Sequence, residues 1–563
     1  MHSLLVCEKV TNNSSWPVGI LYELTITACV KGGNMRIPTI PFTVLALAPF
    51  CPGQEDIGSS KPVAVDLFSM DEALEHLEPT IYIPVPRNVC PAGSLTIRFK
   101  GIKDFKPDRI IANNDYLKGI HDAGQFIAEA VRNGIPARDI AGKILTVWPD
   151  LPIETTVMDT DDPQQSDKQS TSRVDDILSM VAVPASPQPT TSAGATQWKV
   201  QCDELLSTLL EYVFDNADFR TCEASWRGIE LLVRQGKIKE GEGLFVHAVP
   251  VTSDGLANTL EKLSTDLIAN PPNFVLVDVP FDNTVRSINI LDKVITFAET
   301  LMVPTVCWIT PGFFNMNTWD DLRQVPYLKH HLEDAAYAKW RKLKELPGSH
   351  WTAITCNRFL TRFPYTRDNG KGAVSFQEKE PLWLSPVWAL GTLICQSVSH
   401  FGWPCRFTDY MNINLADLAL IDSESDIPTS TEMILSENRL AEFVEVGITP
   451  LQSGKGKDSA FIPKEVTRAG GSLKYQLFVA KVLGFLWWCR DNMDREIRTG
   501  DIGTNLTTAF DLFWQNTGQP TPDDLEITAG TAEGDESIPL TIRMTPPRSV
   551  LTGGHALEMT FLW

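Results

Sequence analysis

Phe274-Val275-Leu276-Val277-Asp278-Val279 is an almost continuous apolar run, and what flanks it decides the fold. Before it, Leu244 to Val251 has strand character and Leu256 to Ile268 carries a helical apolar stripe. After it, Ile288 to Leu301 predicts a helix and Val303 to Ile309 another strand. Apolar strands separated by helices are the mark of an α/β layer whose sheet is covered on both faces. Upstream, Leu205, Leu209, Leu210 and Val213 define one helix, and Trp226 to Val233 a second. Downstream, helices are expected over Trp383–His400 and Tyr475–Arg490. Strand-like text closes the chain, over 538–544 and 555–563.

Further toward the N-terminus the composition changes. From Thr155 to Gln197 the text is mostly Asp, Ser, Thr, Gln, Pro and Ala. Such a segment buries too little apolar surface to offset chain entropy and is expected to be a linker. Within it, Val174, Ile177, Leu178 and Val181 recur at i, i+3, i+4 and i+7, the spacing of a short amphipathic helix. It is expected either to dock onto a partner or to be a stray sticky segment. Ahead of the linker, Leu21 to Val30 alternates as a strand does, Lys31-Gly32-Gly33-Asn34 turns, and Arg36 to Ala48 forms a second, apolar strand. Two more strands are expected at Thr80–Val85 and Ser94–Phe99, then a helix capped by Asp115, with Leu117, Ile120, Gly124, Ile127 and Val131 in its stripe. The expected division is 1–154, a β-rich α+β part; 155–197, the linker; and 198–563, the α/β part.

The chain has 563 residues, 43% hydrophobic and 21% charged, and a net charge of −21. This excludes a wholly disordered chain and argues against nucleic acid or anionic lipid as the main partner. Self-assembly has like-charge repulsion to overcome. The first residues lack a basic n-region and a long h-region, so Leu4-Leu5-Val6-Cys7 is a poor lipoprotein site. The apolar stretch 37–54 holds Pro38, Pro41, Pro49 and Pro52, which suits a membrane helix badly. A cytoplasmic protein without direct membrane insertion is expected. Eleven cysteines without a Cys-x-x-Cys pair are expected to be buried free thiols.

Catalytic motifs are sparse. The stretch 453–459, Ser-Gly-Lys-Gly-Lys-Asp-Ser, lacks the spacing of a phosphate loop and is read as a basic surface turn. His330 and His331 are adjacent, so a helix would point them about 100° apart, and a solvated helix face is expected instead of a metal site. No catalytic, cofactor or metal residue is assigned. Two terminal strands, 21–30 and 555–563, stand out. Each closes its own sheet or is donated to a neighbouring subunit.

Residues 21–152 resemble the small sheath subunit of the bacterial type VI secretion system. The resemblance rests on Tyr22–Val30, Gly32-Gly33, Ile37–Leu47, Ile83-Pro84-Val85-Pro86 and the stretch 95–108, with Asp104, Phe105 and Pro107 in its characteristic motif. Residues 198–563 resemble the large sheath subunit. There the matching text is 219–233, containing Trp226, Arg227 and Gly228; 337–341, containing Trp340 and Arg341; and 357–365, containing Arg362 and Pro364. Gly402–Arg406 and Glu437–Leu451 follow in the family's order. The family's subunits are ordinarily separate chains; here the linker joins them.

The resemblance implies a structural sheath protomer, not an enzyme, that polymerises helically around an inner tube. Its implied partners are further copies of itself, an inner-tube ring protein and a baseplate. An N-terminal arm carrying Tyr22, Leu24, Ile26, Ala28 and Val30 is expected to exchange between protomers. The helix with Val174, Ile177, Leu178 and Val181 is similar to the family's recognition helix for an AAA+ unfoldase. The rival readings are a non-contractile tubule of the same fold and an α/β enzyme without recognisable motifs.

Overall fold

A computed structural model describes residues 41–53, 61–153, 192–238, 243–368, 375–422, 427–492, 502–530 and 538–563. The expected arm at 21–30 and the linker helix at 174–181 lie outside the described residues.

The N-terminal part holds β1 (Phe42–Ala48), β2 (Val63–Val65), α1 (Met70–Leu77), β3 (Thr80–Pro84), β4 (Ser94–Arg98), α2 (Pro107–Asn113), α3 (Asp115–Arg132) and α4 (Ala137–Val147). Then come α5 (Ser192–Asp215), α6 (Ala217–Gln235), β5 (Leu244–Pro250), α7 (Leu256–Asp266), β6 (Phe274–Phe281), α8 (Val285–Leu301) and β7 (Thr305–Ile309). They are followed by α9 (Leu328–His331), α10 (Ala338–Leu343), β8 (Thr352–Cys356), β9 (Phe359–Leu360), β10 (Trp383–Leu384), α11 (Pro386–Phe401) and α12 (Glu437–Glu445). The chain continues with β11 (Thr449–Pro450), β12 (Gln452–Ser453), β13 (Ala460–Phe461), α13 (Leu473–Asn492) and α14 (Ile502–Asn516). Last are β14 (Glu526–Ala529), β15 (Pro539–Met544) and β16 (Leu557–Leu562).

Seven strands form the main sheet in the order β11-β8-β7-β6-β1-β5-β2. All its pairings are parallel except that of β2 with β5. The central place of β1 follows from its sequence. Val44 and Ala46 point into one core and Leu45 and Leu47 into the other, so both faces must be covered. Helices α6 and α11 cover the first face; α7 and α8 cover the second. A third core joins α13, α14 and a separate antiparallel sheet, β14-β15-β16.

Three sequence expectations change. The helix expected to be capped by Asp115 is capped by Asn114, whose Oδ1 accepts from the Leu117 amide at 3.1 Å. Helix α5 starts at Ser192, inside the stretch expected to be linker. Ala195 and Trp198 are buried there, and this burial offsets the ordering cost. The helix expected from Trp383 begins only at Pro386, which takes the N1 position, while Trp383 and Leu384 pair with β9.

Candidate assembly site

The junction between the N-terminal part and the sheet is built around Trp226. Its indole Nε1 donates to the Phe50 carbonyl at 3.0 Å, and the two rings lie 5.0 Å apart. Phe50 lies two residues past the end of β1, so this bond ties α6 to the exit of that strand. Cys222, one turn earlier on α6, donates to the same carbonyl at 3.4 Å. Gly228 lets α6 approach α11: a Cβ there would stand 2.4 Å from the Trp388 ring. Trp388 is fixed in turn, since its Nε1 donates to Asp278 Oδ2 at 2.6 Å. Burial pushes the Asp278 carboxyl up from its ordinary pKa, against the hydrogen bonds it accepts.

Arg362 organises the second junction. Its Nε and Nη2 donate to the two oxygens of Glu223 at 2.9 and 3.0 Å. Its Nη1 and Nη2 donate to the two oxygens of Glu378 at 2.8 and 2.7 Å. Arg227 Nε adds a bond to Glu223 at 2.8 Å. Glu223 is fully buried and Glu378 is 3% exposed. Burial alone would raise the Glu223 pKa, but the Arg362 and Arg227 guanidiniums overcome it and hold the carboxylate below its ordinary value. The paired forks lock α6 to the segments flanking residues 369–374.

The other motif residues are structural. Asp104 Oδ2 accepts from the Lys100 and Gly101 amides at 2.9 and 3.1 Å. Phe105 stacks on Phe99 with centroids 4.2 Å apart, and Pro107 opens α2 at N1. Trp340 is buried edge-on to Phe313 and lies beneath the Arg468 guanidinium, 3.7 Å from its ring centroid. Arg341 Nη1 donates to the Leu332 and Asp334 carbonyls at 2.7 and 2.6 Å. Pro364 lies half-buried beside this network, next to the exposed Phe363. Sequence reasoning singled out Arg362 and Arg227 but missed Glu223, Glu378 and Asp278. Asp278 gave a usable signal: a lone acid inside an apolar strand must find donors.

The weaker sequence features also resolve. The stretch 453–459 is a hairpin turn between β12 and β13, closed by Gly454 N to Ser459 O at 2.9 Å. His331 is not on a solvated helix face: its Nε2 lies 2.9 Å from the Tyr337 hydroxyl. Among the described residues no group of three His, Cys, Asp or Glu could hold a metal ion, and no helix is long and apolar enough to cross a membrane. The nine described cysteines are all buried, and burial pushes thiols such as Cys51 and Cys395 up to about 12. Strand β16 pairs with β15, which gives the C-terminal strand a place in its own sheet, while its outer edge has no strand partner among the described residues.

A central parallel sheet shared by both parts of the chain defines an α/β protein in which the N-terminal part is built into the fold. Comparison with known proteins gives the family. Residues 22–132 match the type VI secretion system VipA family, and residues 267–467 match VipB, the tail sheath N-terminal domain. One polypeptide thus holds regions that match both the small- and the large-subunit sheath families. It is 23% identical over 293 residues to the type VI secretion system sheath protein TssC1 of Pseudomonas aeruginosa, covering 46% of this chain and 58% of that protein. A chain of the anti-feeding prophage baseplate shares 11% identity at a TM-score of 0.36, over 60% of this chain and 76% of that one. A sheath tail protein from Listeria innocua shares 10% at 0.32, over 56% and 60%.

Proposed function

We propose that the chain is a fused sheath protomer that polymerises into a helical tube around an inner tube, in a type VI secretion-like contractile injection machine. Residues 1–154 act as the small-subunit domain, 155–191 as the tether and the chain from α5 onward as the large-subunit domain. The observation that carries this reading is the place of β1. A strand from the region matching the small-subunit family lies between two strands of the large part, so one chain supplies a complete protomer. The role is structural, needs no cofactor and is performed in the bacterial cytoplasm. The partners are further copies of the chain, an inner-tube ring protein, a baseplate and an AAA+ unfoldase that takes the 174–181 helix.

Contraction in this reading draws on packing energy stored in the extended tube. The arm with Tyr22, Leu24, Ile26, Ala28 and Val30 is exchanged between protomers, and the outer edge of β16, without a strand partner among the described residues, is a surface of the kind that accepts an added strand. Removing residues 1–31 tests the reading. The shortened chain should stay folded by circular dichroism and no longer form tubes by electron microscopy. Normal tubes from it would remove strand exchange from the account.

A further inference from the structure

Two oppositely charged surfaces lie on different parts of this acidic chain. Residues 338–344 hold four cations, Lys339, Arg341, Lys342 and Lys344, and no acid. Trp340 and Leu343 are buried, so the fold turns the lysines outward; Lys339, Lys342 and Lys344 are all exposed. Lys342 and Lys344 pair with no carboxylate among the described residues. By contrast, residues 501–563 hold nine acids, two arginines and no lysine. On β14, β15 and β16, Arg543 stands in register between Glu526 and Glu558 and bonds Glu558 at 3.0 Å. Asp524 is anchored nearby by accepting from the Thr545 amide at 2.8 Å, and Asp523 is exposed beside it. Even with the exposed Arg548 three residues beyond Thr545, two arginines stand against four carboxylates, which leaves this end of the sheet negative.

The basic surface belongs to the core around α8 and the acidic one to the core around α13 and α14. We propose that they meet in trans: the Lys339–Lys342–Lys344 surface of one protomer docks on the Asp523–Asp524–Glu526 end of the C-terminal sheet of another copy. Such a contact joins two different surfaces head to tail, so repetition builds a ring or an open helical array and not an isologous dimer, and the sheath reading selects the helix. It also gives like-charged protomers an attractive contact that favours one register. The inference rests on the sheath reading and adds to it a specific contact between copies.

Charge reversal tests it on the full chain. The sets K339E/K342E/K344E and D523K/D524K/E526K are compared with wild type and with the combination of both, by the critical concentration for tube assembly. Each set alone should raise that concentration about tenfold, and the combination should return it to within about threefold of wild type. The acidic-to-lysine set is the sharper arm. It brings the net charge nearer zero, so general repulsion alone would ease assembly, whereas loss of the contact hinders it. Thermal midpoints within about 2 °C of wild type establish that each variant folds. Should a set unfold, K342Q/K344Q and D523N/D524N give the same test at smaller amplitude. Unchanged assembly in both single sets, or no recovery in the combination, overturns the contact while leaving the sheath reading in place. Absence of any wild-type self-association overturns both.

Discussion

Gly228 and Trp388 are in such close contact that helices α6 and α11 meet through a missing side chain: a Cβ on Gly228 would stand 2.4 Å from the indole. The indole has no free direction of retreat, because its Nε1 is held by Asp278 at 2.6 Å. Gly228→Ala should therefore destabilise the protein by about 1–3 kcal/mol in denaturant unfolding, the range for overpacking in a tight core. An unchanged midpoint would mean that the helices separate freely, against the geometry.

Arg362→Ala should cost about 3–5 kcal/mol, because Glu223 would be left in the interior with Arg227 and Glu378 with the Tyr365 amide but no cation beside it. Arg362→Lys should recover only part of this, since an ammonium cannot bond both carboxylates in bidentate fashion. Full recovery by lysine in urea titrations would show that charge alone matters here.

The same network fixes the sign of one pH effect. In the folded protein the Glu223 pKa lies below its ordinary 4.5, so its stabilisation is complete above about pH 5 and is lost as pH falls through the folded-state value. Without Arg362 the balance shifts toward burial, which raises the pKa. Stability of Arg362→Ala should then fall as pH rises above about 4.5, relative to wild type. Parallel stability profiles for the two proteins between pH 4 and 7 would contradict this.

His247, on β5, is lowered to about 4 by burial, from an ordinary 6.5. The unfolded chain binds the extra proton throughout that interval, so stability is lost as pH falls from 6.5 toward 4. The expected slope for one group is about 1.4 kcal/mol per pH unit. His247→Gln should flatten that slope in melting curves taken at successive pH values. A variant with the wild-type slope would remove His247 as the source.

Much of the α/β layer was legible because its strands are continuous apolar runs and its helices repeat at the helical period. Phe274–Val279 and Ile288–Leu301 fall almost where the sequence places them. The position of β1 was not legible. Parallel pairing is non-local, and nothing within Phe42–Ala48 names Leu244–Pro250 and Phe274–Phe281 as its neighbours. The ion network was half legible. Arg362 and Arg227 stood in recognisable motifs, whereas Glu378 sits in Gln377-Glu378-Lys379-Glu380, which reads as solvated charge. Its burial comes from Arg362, sixteen residues away in the sequence. The exchange arm and the linker helix rest on sequence alone.

The linker supplies a further prediction. With 192–197 taken into α5, a flexible coil over the 37 residues 155–191 would span about 33 Å r.m.s., on the scale of neighbouring domains. Cutting it after assembly should leave tubes intact, because β1 and Phe50 already bind the two parts through the sheet and Trp226. Replacing Ile177 and Leu178 with Asp should likewise spare assembly and abolish unfoldase binding to contracted tubes. A lower melting temperature with unchanged unfoldase affinity would place that segment on the protomer's own surface.

The central claim is that one chain is a complete, polymerising sheath protomer, and electron microscopy of the purified full-length protein tests it most directly. The account predicts long helical tubes built from this chain alone, with two tube diameters marking the extended and contracted states. Small monodisperse particles at high concentration would contradict it.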